Sequence, residues 1–256
     1  MGATVLELCG KLKHVRNHIV DWVLLESGAT SSDEFCQALL EVLERLMDLK
    51  ARTPEVTTWN DSWFEAHTVF VYETFLYIIA ALLKTNSFAI LREIFTSRYL
   101  LPETQRRGDI QFGSFVAFWG RSETLNAVLA PEGRRLFSPA AKLIERQADR
   151  GDVPFKAVMQ AELLVLLMAF LTPGAWWYPG TLHYASYGRD FPFFLRATTH
   201  RDFEKLAVIT GIDEVEKLRE AVIEGHKRLS EGQWPNSHFE ISFWSSMNMD
   251  KLDTIK

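Results

Sequence analysis

His14, His18 and Asp21 recur at i, i+4 and i+7. On a helix that spacing puts three metal-ligand side chains on one face, as a divalent-ion site needs. Glu7 and Lys11 share the face. Closed sites normally take more ligands than these three supply, so a solvated polar face is the favoured reading. His67 is the candidate for a distant fourth ligand.

Arg219 and His226 lie on one face of a predicted helix, at the edge of a Val215, Leu218, Val222 and Leu229 stripe. The pair resembles the R-x(4–6)-H motif of HEPN-type ribonucleases. The resemblance covers this motif and the all-α character, and Glu220 stands where that family often has Asn, Asp or His. It implies a metal-independent RNA-cleaving cleft formed between two protomers, with Arg219 and His226 as the catalytic residues.

Two other groups of residues suit binding. Arg106, Arg107, Arg134 and Arg135 fall in predicted loops, with Lys142, Arg146 and Arg150 nearby. Such a patch would suit RNA or an acidic partner. Glu103, Asp109, Glu132, Glu145 and Asp149 interleave with it, so a mixed solvated surface is the favoured reading. The stretch 172–192 (TPGAWWYPGTLHYASYGRDFP) mixes turn formers with Trp176, Trp177, Tyr178, Tyr184 and Tyr187. It is too long and too aromatic for a plain connector. Exposed, these rings would anchor a partner protein. Buried, they would cap the helix before them, and burial of most is expected because large rings are usually inside. A rim of His183, Tyr184, Tyr187 and Arg189 is expected to stay accessible.

The elements that must carry these residues are helical. Residues 63–83 (WFEAHTVFVYETFLYIIAALL) form the longest apolar run, about 30 Å long as a helix, interrupted only by Glu65, His67, Thr68, Glu73 and Thr74;. A helix apolar nearly all round is a buried, central one. Glu73 then needs a cationic partner from another helix, the expected outcome, or a raised pKa that keeps it protonated as a hydrogen-bond donor, and Glu162 in the apolar run 155–171 poses the same problem. Val5, Leu8, Leu12, Val15, Ile19, Trp22 and Val23 give the first helix an apolar face;. Ser31 and Glu34 form a capping box for the second, Asp61 or Ser62 is the expected cap of the central helix, and Ser138-Pro139 is a further start signal. A helix is expected over 122–130, and 238–244 reads as a strand or extended arm. The polar run 102–110 is the expected boundary between an N-terminal unit, 1–104, and a C-terminal unit, 105–256, packed against it. Roughly nine helices and almost no strand pattern define an all-α, bundle-like globule around the central helix.

Composition narrows the function classes. The chain is 47% hydrophobic and 24% charged, ordinary for a soluble globular protein;. A net charge of −5 disfavours nucleic acid as the default partner, with RNA left open through local patches;. Cys9 and Cys36 show no metal spacing, and a reduced, cytoplasmic setting is expected;. No signal peptide is expected, since Lys11 and Lys13 interrupt the N-terminal stretch, and no membrane span, since both apolar runs carry charges or fall short of a clean span;. There is no phosphate loop, dinucleotide fingerprint or nucleophile elbow, and no cofactor is expected. The resulting expectation is a non-catalytic interaction, regulatory or scaffold module that binds another protein or itself.

Overall fold

Helix α3 (Glu65–Lys84) is apolar on every side, and residues 69–83 are all buried. The structure is a computed structural model that describes residues 1–29, 33–51, 60–102, 106, 108–130, 132, 134–184, 190–231 and 243–256. Helices α1 (Gly2–Ala29) and α7 (Phe155–Leu171) both pack on α3. α2 (Asp33–Asp48) and α4 (Phe88–Thr96) close against it from the N-terminal part of the chain. Four short or medium helices follow the same core: α5 (Asn126–Leu129), α6 (Pro139–Gln147), α8 (Pro192–Arg196) and α9 (His200–Thr210). α10 (Val215–Glu231) packs on α7, and α11 (Phe243–Ser246) lies near the C-terminus. The only sheet among the described residues pairs β1 (Tyr99–Leu100) with β2 (Phe112–Gly113). The fold is all-α.

The β1–β2 pair is antiparallel and brackets residues 102–110, and Leu101 N donates to Gln111 O at 2.8 Å. The apolar core is continuous across this point, with members from Val5 to Leu252. Among the described helices α3 alone is long and apolar enough to cross a membrane, and 89% of that stretch is buried inside the protein. Cys9 and Cys36 are free, buried thiols.

Local signals hold in some places and fail in others. Ser138 caps α6 through its Oγ, which accepts from Ala141 N, and Pro139 takes the first helical position. Neither Asp61 nor Ser62 caps α3: a 3-10 helix, Asp61–Trp63, precedes it, and Phe64 holds the N-cap position with no side-chain hydrogen bond. The expected helix over 122–130 shrinks to α5, because Ser122–Thr124 are held as a loop by Glu65. The buried stripe of α1 is Val5, Cys9, Arg16, Val20, Val23 and Ser27, while Val15 is 48% exposed. Arg16 therefore sits mid-stripe, where it meets Glu73. Ser31 lies outside the described residues, as do 238–242; Phe243 and Trp244 begin α11.

The α7–α10 crossing depends on Gly225. A Cβ there would stand 2.2 Å from the Phe170 carbonyl oxygen, which is backbone and cannot rotate away. Arg228, one turn on, donates through Nη2 to Phe170 O at 3.0 Å and Thr172 O at 3.1 Å, satisfying carbonyls at the end of α7;. Alanine is the better helix former by about 1 kcal/mol, yet the clash forces the helices apart. Gly225→Ala is therefore expected to destabilise by roughly 1–3 kcal/mol in urea denaturation. An unchanged or raised midpoint would show that the helices do not touch as described.

Candidate functional site

Glu162 holds the aromatic loop in place. Its carboxylate is fully buried on α7 and accepts from the Tyr72 hydroxyl, from Trp177 Nε1 at 3.2 Å, and from Thr181 N at 2.7 Å and Thr181 Oγ1. Burial pushes this carboxyl up, and the hydrogen bonds from Thr181, Tyr72 and Trp177 draw it back;. Trp177 is thereby drawn into the core, where it is 0% exposed. Its neighbours Trp176 and Tyr178 are partly buried and line a cleft instead, as alternate side chains of an extended segment must;.

A second wall comes from the loop after the 3-10 helix Phe115–Phe118. Phe118 stacks on Phe75 of α3 at 4.5 Å, and Phe115 packs on Phe95. Lys50 donates to Ala117 O at 2.7 Å and to Trp119 O at 3.0 Å, and desolvation pulls its ammonium down to about 8. Gly120 lies so close to α3 that a Cβ would be 2.6 Å from Thr68 O. Glu65 then accepts from Ser122 Oγ, Thr124 Oγ1 at 2.6 Å and Thr124 N at 3.1 Å. Trp119 and Arg121 are thus carried on a segment pinned at both ends. Trp119 Nε1 donates to Tyr178 O at 3.2 Å, tying this wall to the first, and its ring meets Trp176 edge-on at 4.9 Å.

The third side is the approach to α6. Leu136 N donates to Asn126 Oδ1 at 2.8 Å, and the Tyr184 hydroxyl donates to Ser138 O at 3.0 Å. Phe137 stacks on His183 at 4.7 Å yet remains 66% exposed. His183 Nε2 and the Tyr178 hydroxyl share a hydrogen bond, and burial raises that phenol to about 12.

The three walls enclose a cleft of about 600 Å³. Trp119, Phe137, Trp176 and Tyr178 supply its rings; Arg121, Glu123, Asn126 and Arg135 supply its polar groups. Arg135 and Glu123 are 3.7 Å apart with both side chains well exposed, a pair of little energetic weight;. Among the described residues Arg121 has neither hydrogen bond nor ion pair. Pockets of this size, mostly apolar with a few polar groups, are where proteins take ligands.

The cleft unites Trp176 and Tyr178 of the aromatic loop with Arg135 of the basic group, and His183 and Tyr184 support it from behind. Trp177 belongs to the core rather than the cleft. Arg134 is exposed beside it, and Arg106, also exposed, donates to Leu101 O. Arg107, Tyr187 and Arg189 lie outside the described residues. His14 and His18 are exposed on α1, and Asp21 is taken by Arg150 at 2.6 Å. Among the described residues no group of three His, Cys, Asp or Glu side chains converges to hold a metal. Arg219 donates to Met249 O at 2.7 Å and pairs with Glu216, while the His226 ring packs beside Phe170 and Phe243. Desolvation lowers the pKa of His226. Trp119, Arg121, Asn126 and Phe137 escape sequence reading; the Trp-Gly-Arg run at 119–121 is the one local hint of them. Comparison of the chain with protein-family profiles, curated proteins and solved structures finds no match.

Proposed function

We propose that the chain is a non-catalytic α-helical interaction module, a regulatory or scaffold subunit of a larger assembly, that captures a segment of a partner protein in this cleft. The observation that supports the reading is the convergence of four aromatic rings on one cleft, one of them 66% exposed at Phe137. Aromatic anchors in well-packed pockets dominate protein interfaces. Here Lys50, Glu65 and Glu162 fix the walls in advance, which lowers the ordering cost of binding;. The test is a photo-crosslinking benzophenone side chain at position 137, compared with the same group at Ile223, which is 57% exposed on α10. A discrete adduct from position 137 alone, lost in Trp176→Ala, is the expected result. The same adducts from both positions, or adducts indifferent to Trp176, would remove the cleft as the interface.

A further inference from the structure

We infer that the segment captured in this cleft carries an acidic side chain next to an aromatic one, with Arg121 and Arg135 reading the acid and the Trp119–Trp176 corner taking the ring. The inference rests on the interaction reading above and deepens it. Its basis is charge complementarity at a site whose other polar groups are already committed. Trp119 Nε1 is used on Tyr178 O, Asn126 Oδ1 on Leu136 N, and Ser138 Oγ on Ala141 N. What remains for an incoming group is chiefly donor: the Arg121 guanidinium, the Asn126 amide N–H groups, and Arg135 once Glu123 yields at 3.7 Å. Guanidinium forks match a carboxylate bidentately and are the strong polar contacts available here.

The apolar half is equally specific. Trp119 and Trp176 meet edge to face at 82°, forming a corner that offers both a ring face and a ring edge;. A ring seated there shares one cleft of about 600 Å³ with both arginines, and Arg121 follows Trp119 by two residues, so ring and acid are close neighbours in the captured segment. Single-stranded RNA would also combine stacking with cations. It is disfavoured because an RNA strand presents a phosphate at every step, whereas the rim offers two cations against Glu123 on a chain of net charge −5;.

The test uses three probes on the full chain by titration calorimetry: a blocked phenylalanine–aspartate–phenylalanine tripeptide, its asparagine counterpart, and a uridine tetranucleotide. The aspartate peptide is expected to bind about tenfold more tightly than the asparagine one, the scale of a charge-assisted hydrogen bond. Arg121→Gln with Arg135→Gln should abolish that preference, bringing the aspartate peptide down to the affinity of the asparagine peptide measured on the same variant. Both arginines are exposed on the rim, so the double variant keeps the native melting profile as its control. Trp176→Ala should weaken both peptides alike. Equal binding of the two peptides, or a preference that survives the double variant, overturns the charge inference and leaves the interaction reading standing. Binding of neither peptide removes both. Tighter binding of the tetranucleotide assigns the cleft to single-stranded RNA and overturns the inference.

Discussion

Arg16→Met is expected to cost about 3–5 kcal/mol of folding stability at pH 8, because it strands a buried carboxylate. Arg16 is 0% exposed and its Nη1 pairs with Glu73 Oε1, itself 2% exposed on α3. The guanidinium also lies 4.2 Å from the centre of the Tyr77 ring and reaches Asn17 Oδ1 at 2.8 Å. Burial raises the Glu73 carboxyl to about 7 from an ordinary 4.5, and Arg16 is what holds it from rising further. The sign of the pH dependence follows. A carboxyl raised in the folded state binds its proton there more tightly than in the unfolded chain. Its stabilising contribution is full below about 4.5 and is lost as pH climbs through about 7;. Without Arg16 the folded value rises again, so the deficit of Arg16→Met should be larger at pH 8 than at pH 5 by up to about 1.4 kcal/mol, the equivalent of the one pH unit above a folded value of about 7;. Replacing both partners, Arg16→Met with Glu73→Leu, should recover most of the loss, since apolar pairs of similar volume substitute well for buried ion pairs. Urea denaturation at the two pH values measures all of this. A deficit under about 1 kcal/mol at pH 8, or one equal at both pH values, would mean that the pair is not buried as described.

That pair marks how far the sequence reaches. Glu73 is legible as a residue needing a cation, because its helical neighbours are apolar. The identity of that cation is not legible from Glu73, 57 residues away. Arg16 was nonetheless readable in its own helix: it falls seven residues after Cys9 and four before Val20, on the stripe that buries both. Choosing Val15 for that face follows residue type where position decides, and Val15 is exposed. The two apolar helices α3 and α7 are legible because hydrophobicity all round admits only burial. The cleft is legible in part. Trp176, Tyr178 and Arg135 stand out by type, but the walls at 119–122 and 135–138 are loops without periodicity. They meet only through contacts between distant residues, such as Lys50 with Trp119 and Glu65 with Ser122. No local pattern encodes those pairings, because each is set by where α3 places the chain.

Adjacent tryptophans should separate stability from binding. Trp177→Ala is expected to cost ~3–5 kcal/mol, the range for emptying a large buried ring. Trp177 is 0% exposed, packs at 5.8 Å from Tyr72 and 6.0 Å from Phe75, and gives Glu162 one of its four hydrogen bonds. Its loss leaves both a void and a less well satisfied buried carboxylate. Trp177→Phe keeps a ring but removes the N–H and part of the indole volume, so it should cost less than the alanine variant, about 1–3 kcal/mol. Trp176→Ala removes a partly buried ring that meets Trp119 edge-on and Tyr178 in a looser stack at 6.5 Å, an aromatic pair being worth about 0.5–1.5 kcal/mol;. It should therefore melt close to the native chain while losing the peptide probes. Trp177→Ala should lose both properties, because Trp176 and Tyr178 hold their direction only while Trp177 stays anchored between them. Near-native melting of Trp177→Ala would sink this assignment. So would equal destabilisation by the two alanine variants, since alternation along the segment requires one tryptophan to serve the core and the other the cleft.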